Sequence, residues 1–123
     1  MSKRSIENLF IWKQAREVVN LVYLMIKECK DYSFRDQIQR AAVSIMNNIA
    51  EGFDSGSDAR YASFLNISRG SCAEVYSMLY LCEDFKLCTP EERIDIQTLL
   101  AQISTGIVNL NLTLSANKQR ASS

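Results

Sequence analysis

Apolar residues recur every three or four positions along nearly the whole chain, a spacing that gathers them on one side of an α-helix and never settles into the alternation of a strand. Trp12, Ala15, Val19, Val22 and Ile26 form a first stripe, and Val18, Leu21, Leu24 and Met25 widen it beyond what a single seam uses. Phe34, Ile38, Ala42, Ile45 and Ile49 form a second. A third runs through Tyr61, Phe64, Ser68, Cys72, Val75, Leu79 and Cys82, and a fourth through Ile96, Leu99, Ile103, Ile107, Leu110 and Leu114. The spacing predicts helices over about 10–30, 34–53, 58–86 and 90–115.

Short polar residues and glycines mark the boundaries. Ser33 followed by Asp36 has the layout of a capping box for the second helix. Gly52, Asp54, Ser55, Gly56 and Ser57 interrupt the periodicity, and Ser57 is placed to cap the third helix. Thr89-Pro90-Glu91-Glu92 supplies a cap, a proline at the first helical position and two carboxylates near the positive end of the helix dipole. The small polar stretch from Ser115 to Ser123 has nothing to add to a core and is expected to fray. Short connections between long amphipathic helices favour antiparallel neighbours, so the expected fold is an all-α, up-down-up-down four-helix bundle, one domain over 1–123 with flexible tails.

Composition sharpens this picture in three ways. Apolar residues make up 47% of the 123, more than the four stripes use, and Leu24, Tyr76, Tyr80, Leu81, Val108 and Leu112 fall outside them. Such surplus predicts a homo-oligomer. Fourteen basic and fourteen acidic residues cancel, which removes the long-range positive field of a dedicated nucleic-acid binder. Cys29, Cys72, Cys82 and Cys88 form no Cys-x-x-Cys pair, and charged or amide residues interrupt every apolar run, so a soluble cytoplasmic protein with reduced thiols and no membrane contact is expected.

The chain contains no histidine, which removes the Glu-x-x-His metal sets of helical bundles and the serine or cysteine nucleophiles that lean on an imidazole. No glycine-rich phosphate loop is present either. The expectation is no enzyme, no cofactor and no small-molecule substrate. The unusual feature is polar: Arg40, Ser44, Asn48 and Glu51 share one side of the second helix, beside residues bound for the core. Asn66, Gly70 and Glu74 recur on the third, with Gly70 suited to a close approach that brings Arg40 or Asn48 to Glu74. Such a network either fixes register and subunit pairing or lines an exposed pocket. Trp12 and the five tyrosines are assigned to core packing over base stacking. Lys3, Arg4, Lys13, Arg16, Lys118 and Arg120 are the candidate nucleic-acid contacts, because an up-down topology brings both tails to one end.

The run Gln37-Ile38-Gln39-Arg40-Ala41-Ala42-Val43-Ser44-Ile45-Met46-Asn47-Asn48-Ile49-Ala50-Glu51-Gly52 resembles the signature of the bacterial four-helix proteins encoded in intervening sequences of 23S ribosomal RNA genes. Leu9 to Ala15 is similar to that family's opening, Phe64 to Ser71 to its third helix, and Glu74 stands at its acidic position. The resemblance implies a homopentameric ring with a protein or nucleic-acid partner. A related branch accompanies the reverse transcriptase of diversity-generating retroelements and is strongly basic, whereas this chain is neutral. Gln39 replaces a usual arginine, and Met46 stands where proline is frequent, which predicts a straighter second helix.

Overall fold

The computed structural model describes residues 5–122. A short 3₁₀ turn, Ile6–Asn8, leads into four helices: α1 (Phe10–Met25), α2 (Tyr32–Phe53), α3 (Asp58–Asp84) and α4 (Pro90–Ser122). Among the described residues the fold is all-α, with no strand. α1 packs against α2 and α4, and α3 packs against the same two. They enclose one core, in which Val18, Val22, Ile38, Ile45, Ile49, Leu65, Val75, Leu79, Leu100, Ile103 and Ile107 have essentially no exposure.

The helix ends follow local hydrogen bonding, with departures from the sequence reading at the start of α2 and the ends of α1 and α4. α2 starts at Tyr32 and is capped by Asp31, whose Oδ1 accepts from the Phe34 N–H at 3.1 Å. Ser33, the expected cap, lies inside the first turn; both side chains can cap, and the path of the chain out of α1 selects Asp31. α1 ends at Met25, earlier than the periodicity suggests, because Ile26 and Cys29 reach the core from a turn. Ser57 caps α3 as expected, with its Oγ accepting from the Arg60 N–H at 3.1 Å. Thr89 caps α4, and the bonding is reciprocal: Glu92 N–H donates to Thr89 Oγ1 at 3.1 Å and Thr89 N–H to Glu92 Oε1 at 2.9 Å. α2 runs unbroken through Met46.

α4 continues to Ser122, well past the expected fraying point at Ser115. No glycine or proline follows Gly106, so each added residue gains a backbone bond without a breaker to stop propagation. By length and composition α4 also meets the requirement for a bilayer-crossing helix over Pro90–Arg120. Uncharged amides and hydroxyls break its apolar runs without making the helix as a whole polar.

α3 ends in a Schellman turn. Leu87 N–H donates to the Cys82 carbonyl at 2.8 Å, Lys86 N–H to the Glu83 carbonyl at 3.0 Å, and Lys86 takes a left-handed φ of 62°. A side chain with a Cβ is strained there, so Lys86→Gly is expected to raise stability by about 0.5–1 kcal/mol, measured as a higher denaturant midpoint at unchanged slope.

The six apolar residues left outside the stripes are all exposed. The tyrosines depart from expectation: Tyr61 is buried, while Tyr23, Tyr32, Tyr76 and Tyr80 are exposed. The rings of Tyr32 and Tyr80 are met by the guanidinium groups of Arg35 and Arg93.

Candidate functional site

α2 and α3 approach closely because small residues line their contact. Ser68, fully buried, donates its Oγ proton to the Ile45 carbonyl at 2.8 Å, which satisfies the one polar atom that this position brings into the core. Ser71 Oγ donates to Ser44 Oγ at 2.9 Å. Asn48 turns back along its own helix, its Nδ2 donating to the Ser44 carbonyl at 2.8 Å and to Ser44 Oγ at 2.9 Å. At the far end of the pair, a Cβ on Gly52 would lie 2.9 Å from Tyr61 Cδ1 and 3.0 Å from Phe64 Cβ, so only glycine fits beneath α3.

Gly70, by contrast, faces open space, with nothing within 4 Å of a Cβ built on it. The close approach assigned to Gly70 belongs to Ser68 and Ser71. Asn66, grouped with Gly70 and Glu74 on sequence grounds, points to α4, where its Oδ1 accepts from Asn111 Nδ2 at 3.1 Å. The rotation of α3 about its axis decides this, and the single-helix spacing did not contain it.

Above the serine contact lies a groove of about 520 Å³ between α2 and α3. Arg40, Ser44 and Glu74 line it, as do Gln37 and Ser71 together with Ser33 and Asp36, which the sequence reading took only as a capping pair. A second groove of about 620 Å³ runs on the α1 side of the same helix, lined by Tyr23, Gln39, Val43, Asn47 and Asn48. Asp36, Arg40 and Ser44 border both. These three, four residues apart, form a polar ridge along α2 with a concavity on each flank.

The expected Arg40–Glu74 bridge is not made: among the described residues no ion pair or hydrogen bond joins them, and both side chains are exposed across the groove. Water solvates both charges more cheaply than a fixed surface geometry would. Asn48 bonds to Ser44 on its own helix and not to Glu74, and Glu51 is exposed and lies outside both grooves. Of the candidate nucleic-acid contacts, Lys3 and Arg4 lie outside the described residues. Lys13 and Arg16 are exposed on α1, Arg16 standing 5.9 Å over the Trp12 ring. Ile11 sits directly over Gly106, so Lys118 lies about 18 Å further along α4, and the basic groups are spread along the molecule.

A second polar cluster was not foreseen. Arg93 donates from Nε to Glu83 Oε1 at 2.5 Å and from one terminal nitrogen to Gln97 Oε1 at 2.8 Å, and its guanidinium lies 4.7 Å from the Tyr80 ring centroid. Gln97 Nε2 donates to the Tyr76 carbonyl at 3.1 Å, and the Tyr76 and Tyr80 rings meet edge to face. The bond to Glu83 holds Arg93 still more firmly in its charged form. The four cysteines are free thiols; Cys29, Cys72 and Cys82 are buried and Cys88 half-buried. Among the described residues no group of three or more histidine, cysteine, aspartate or glutamate side chains is placed to hold a metal ion.

Residues 7–109 match the family described as 23S rRNA-intervening sequence protein. The solved structure of a protein of unknown function from the S23 ribosomal protein family of Bacteroides thetaiotaomicron VPI-5482 is similar to this chain, with a TM-score of 0.73 and 25% identity over 82% of this chain and 97% of its own. No curated protein matches the sequence.

Proposed function

The chain belongs to the 23S rRNA-intervening sequence protein family, and from that premise we propose that it is a non-enzymatic oligomeric adaptor of the cytoplasm. Its copies assemble into a ring, five being the number that the family resemblance implies, and the α2 ridge of Asp36, Arg40 and Ser44 engages a protein partner. The observation that carries this reading is the exposure, among the described residues, of twelve large apolar side chains, from Phe10 and Leu24 to Ile94 and Leu112. Surface of that extent is seldom left wet.

Contacts between helices support an antiparallel bundle. Ser44 meets Ser71 while Gly52 meets Tyr61, Gln14 meets Gln102 while Ile11 meets Gly106, and Arg93 meets Glu83 while Asn111 meets Asn66. In each pair the numbers rise on one helix as they fall on the other. The missing imidazole and the burial of three of the four thiols support a role without catalysis. Sedimentation at micromolar concentration is expected to give about 70 kDa, five times the 14.0 kDa chain, and a single species at the monomer mass would overturn the oligomeric reading.

An RNA- or DNA-binding accessory role, through Lys13, Arg16, Arg40, Lys118 and Arg120, makes a different prediction. Affinity would fall with a log-log salt slope of about −0.7 per phosphate contacted on single strands. A neutral adaptor is expected to show weak binding with a slope near zero in the same titration.

A further inference from the structure

Ile94, Thr98, Ala101, Thr105, Val108 and Leu112 are all exposed on α4, and their spacing alternates four, three, four, three, four. That is the spacing of a coiled-coil seam, here turned outward from the bundle's own core over about 27 Å. Small side chains occupy its middle, where a second backbone can come near, and Ile94, Val108 and Leu112 stand towards its ends. No charged residue occurs anywhere from 96 to 117. Beside the first turn stand Tyr76 and Tyr80, whose rings meet edge to face, with Arg93 over the Tyr80 ring.

We propose that this strip of α4, with Tyr76 and Tyr80, is the surface on which a helix of a second copy of this chain packs. The inference rests on the oligomeric reading above and names the face that it uses. Area supports it. A stable interface of standard size covers about 800 Å² on each partner, a little over half of it apolar. With exposures of 51% for Ile94, 36% for Val108, 64% for Leu112, 40% for Tyr76 and 47% for Tyr80, the strip and its tyrosines offer roughly 400 Å² of apolar surface. Composition agrees, since interface cores are depleted of charge and enriched in tyrosine and arginine, and rigid aromatic groups lose little entropy on docking. Asn109, exposed, flanks the strip, and its amide can be satisfied by a protein surface but not by a bilayer interior. That favours a subunit over lipid as the occupant.

The test compares wild type with the double variant V108D/L112D, and with Thr105→Lys, which alters an already exposed polar position and leaves the core untouched. Circular dichroism checks the fold, and sedimentation velocity at about 10 μM reads the mass. An uncompensated charge in the seam is expected to weaken association about 100-fold or more, so both variants should sediment as folded monomers. If wild type assembles and the folded Thr105→Lys protein keeps the same mass, this face is not the interface, although the oligomeric reading stands. If wild type is itself monomeric, both fall. Wild type that remains monomeric in buffer but floats with anionic vesicles also overturns the proposal and assigns the strip to lipid.

Discussion

Truncating Ile45 to alanine is expected to destabilise the protein by about 3 kcal/mol and lower its melting temperature by roughly 10 °C. Ile45 has no exposure, and its neighbours Ile38, Ala42, Ile49 and Leu65 are equally closed, so the cavity left behind has no route to solvent. The same residue's carbonyl accepts the Ser68 hydroxyl, which pins α3 to α2 at this level and limits the collapse that would soften the loss. Ile45→Val, which removes one methylene, should cost about 1 kcal/mol. Thermal and urea melts check the pair, and equal losses for both variants would show that the site relaxes freely.

The second large effect is alkaline. Burial pushes the Cys82 thiol up to about 12, with Cys88 and Cys29 nearby adding to the rise, and burial pushes Cys72 up to about 11 against a hydrogen bond with Ser104 that lowers it. In the unfolded chain both return to the ordinary value of 9.0, where the thiolate forms first. Their protonated forms therefore favour the folded state fully below about pH 9, and that contribution disappears as pH rises through 11 to 12. Stability measured by urea unfolding should be flat from pH 7 to 8.5 and fall steeply beyond pH 9. Cys82→Ala should show a shallower fall, which separates the thiol from lysine and tyrosine titration in the same range. At pH 8 a disulfide reagent should label Cys88 first, since it alone is half-exposed, and Cys72 and Cys82 only on unfolding. Immediate labelling of all four would contradict the burial.

The polar ridge and the apolar strip sit on different helices, with α3 bordering both: Ser71 and Glu74 line one α2 groove, and Tyr76 and Tyr80 stand beside the strip. The ridge of Asp36, Arg40 and Ser44 belongs to α2, whereas the apolar strip belongs to α4, and those two helices are separated by α1 on one side and α3 on the other. An assembly built through α4 would leave the α2 grooves open to a partner and repeat them once per subunit. Repetition raises effective concentration for any partner that spans two grooves, without new chemistry in either.

Much of the fold is legible in the residues themselves. The 3.6-residue period places four helices, and the caps at Ser57 and Thr89 act as their chemistry dictates because capping is a contact between residues three apart. The exposed surplus on Leu24, Tyr80 and Leu112 is also readable, since those positions oppose a stripe whose own side is already filled. Asp31 and Ser33 compete as caps on equal chemical terms, so the turn leaving α1 makes the choice.

What lies between helices was not legible. Periodicity gives the face of each helix but neither its rotation nor its height against a neighbour, and a shift of one residue turns a side chain by about 100°. That is why Gly70 looked like the point of close approach when Ser68 and Ser71 hold it, and why Arg40 and Glu74 face each other across a groove without bonding. The gathering of Arg93, Glu83, Gln97 and Tyr80 joins residues from two helices across a turn, and only packing brings them together. Hydrophobic pattern thus determined which helices exist and that they pack, because each such preference is local and repeated along the chain. The polar ridge and the grooves beside it were decided by tertiary structure, because they depend on single distances between helices that the pattern leaves free.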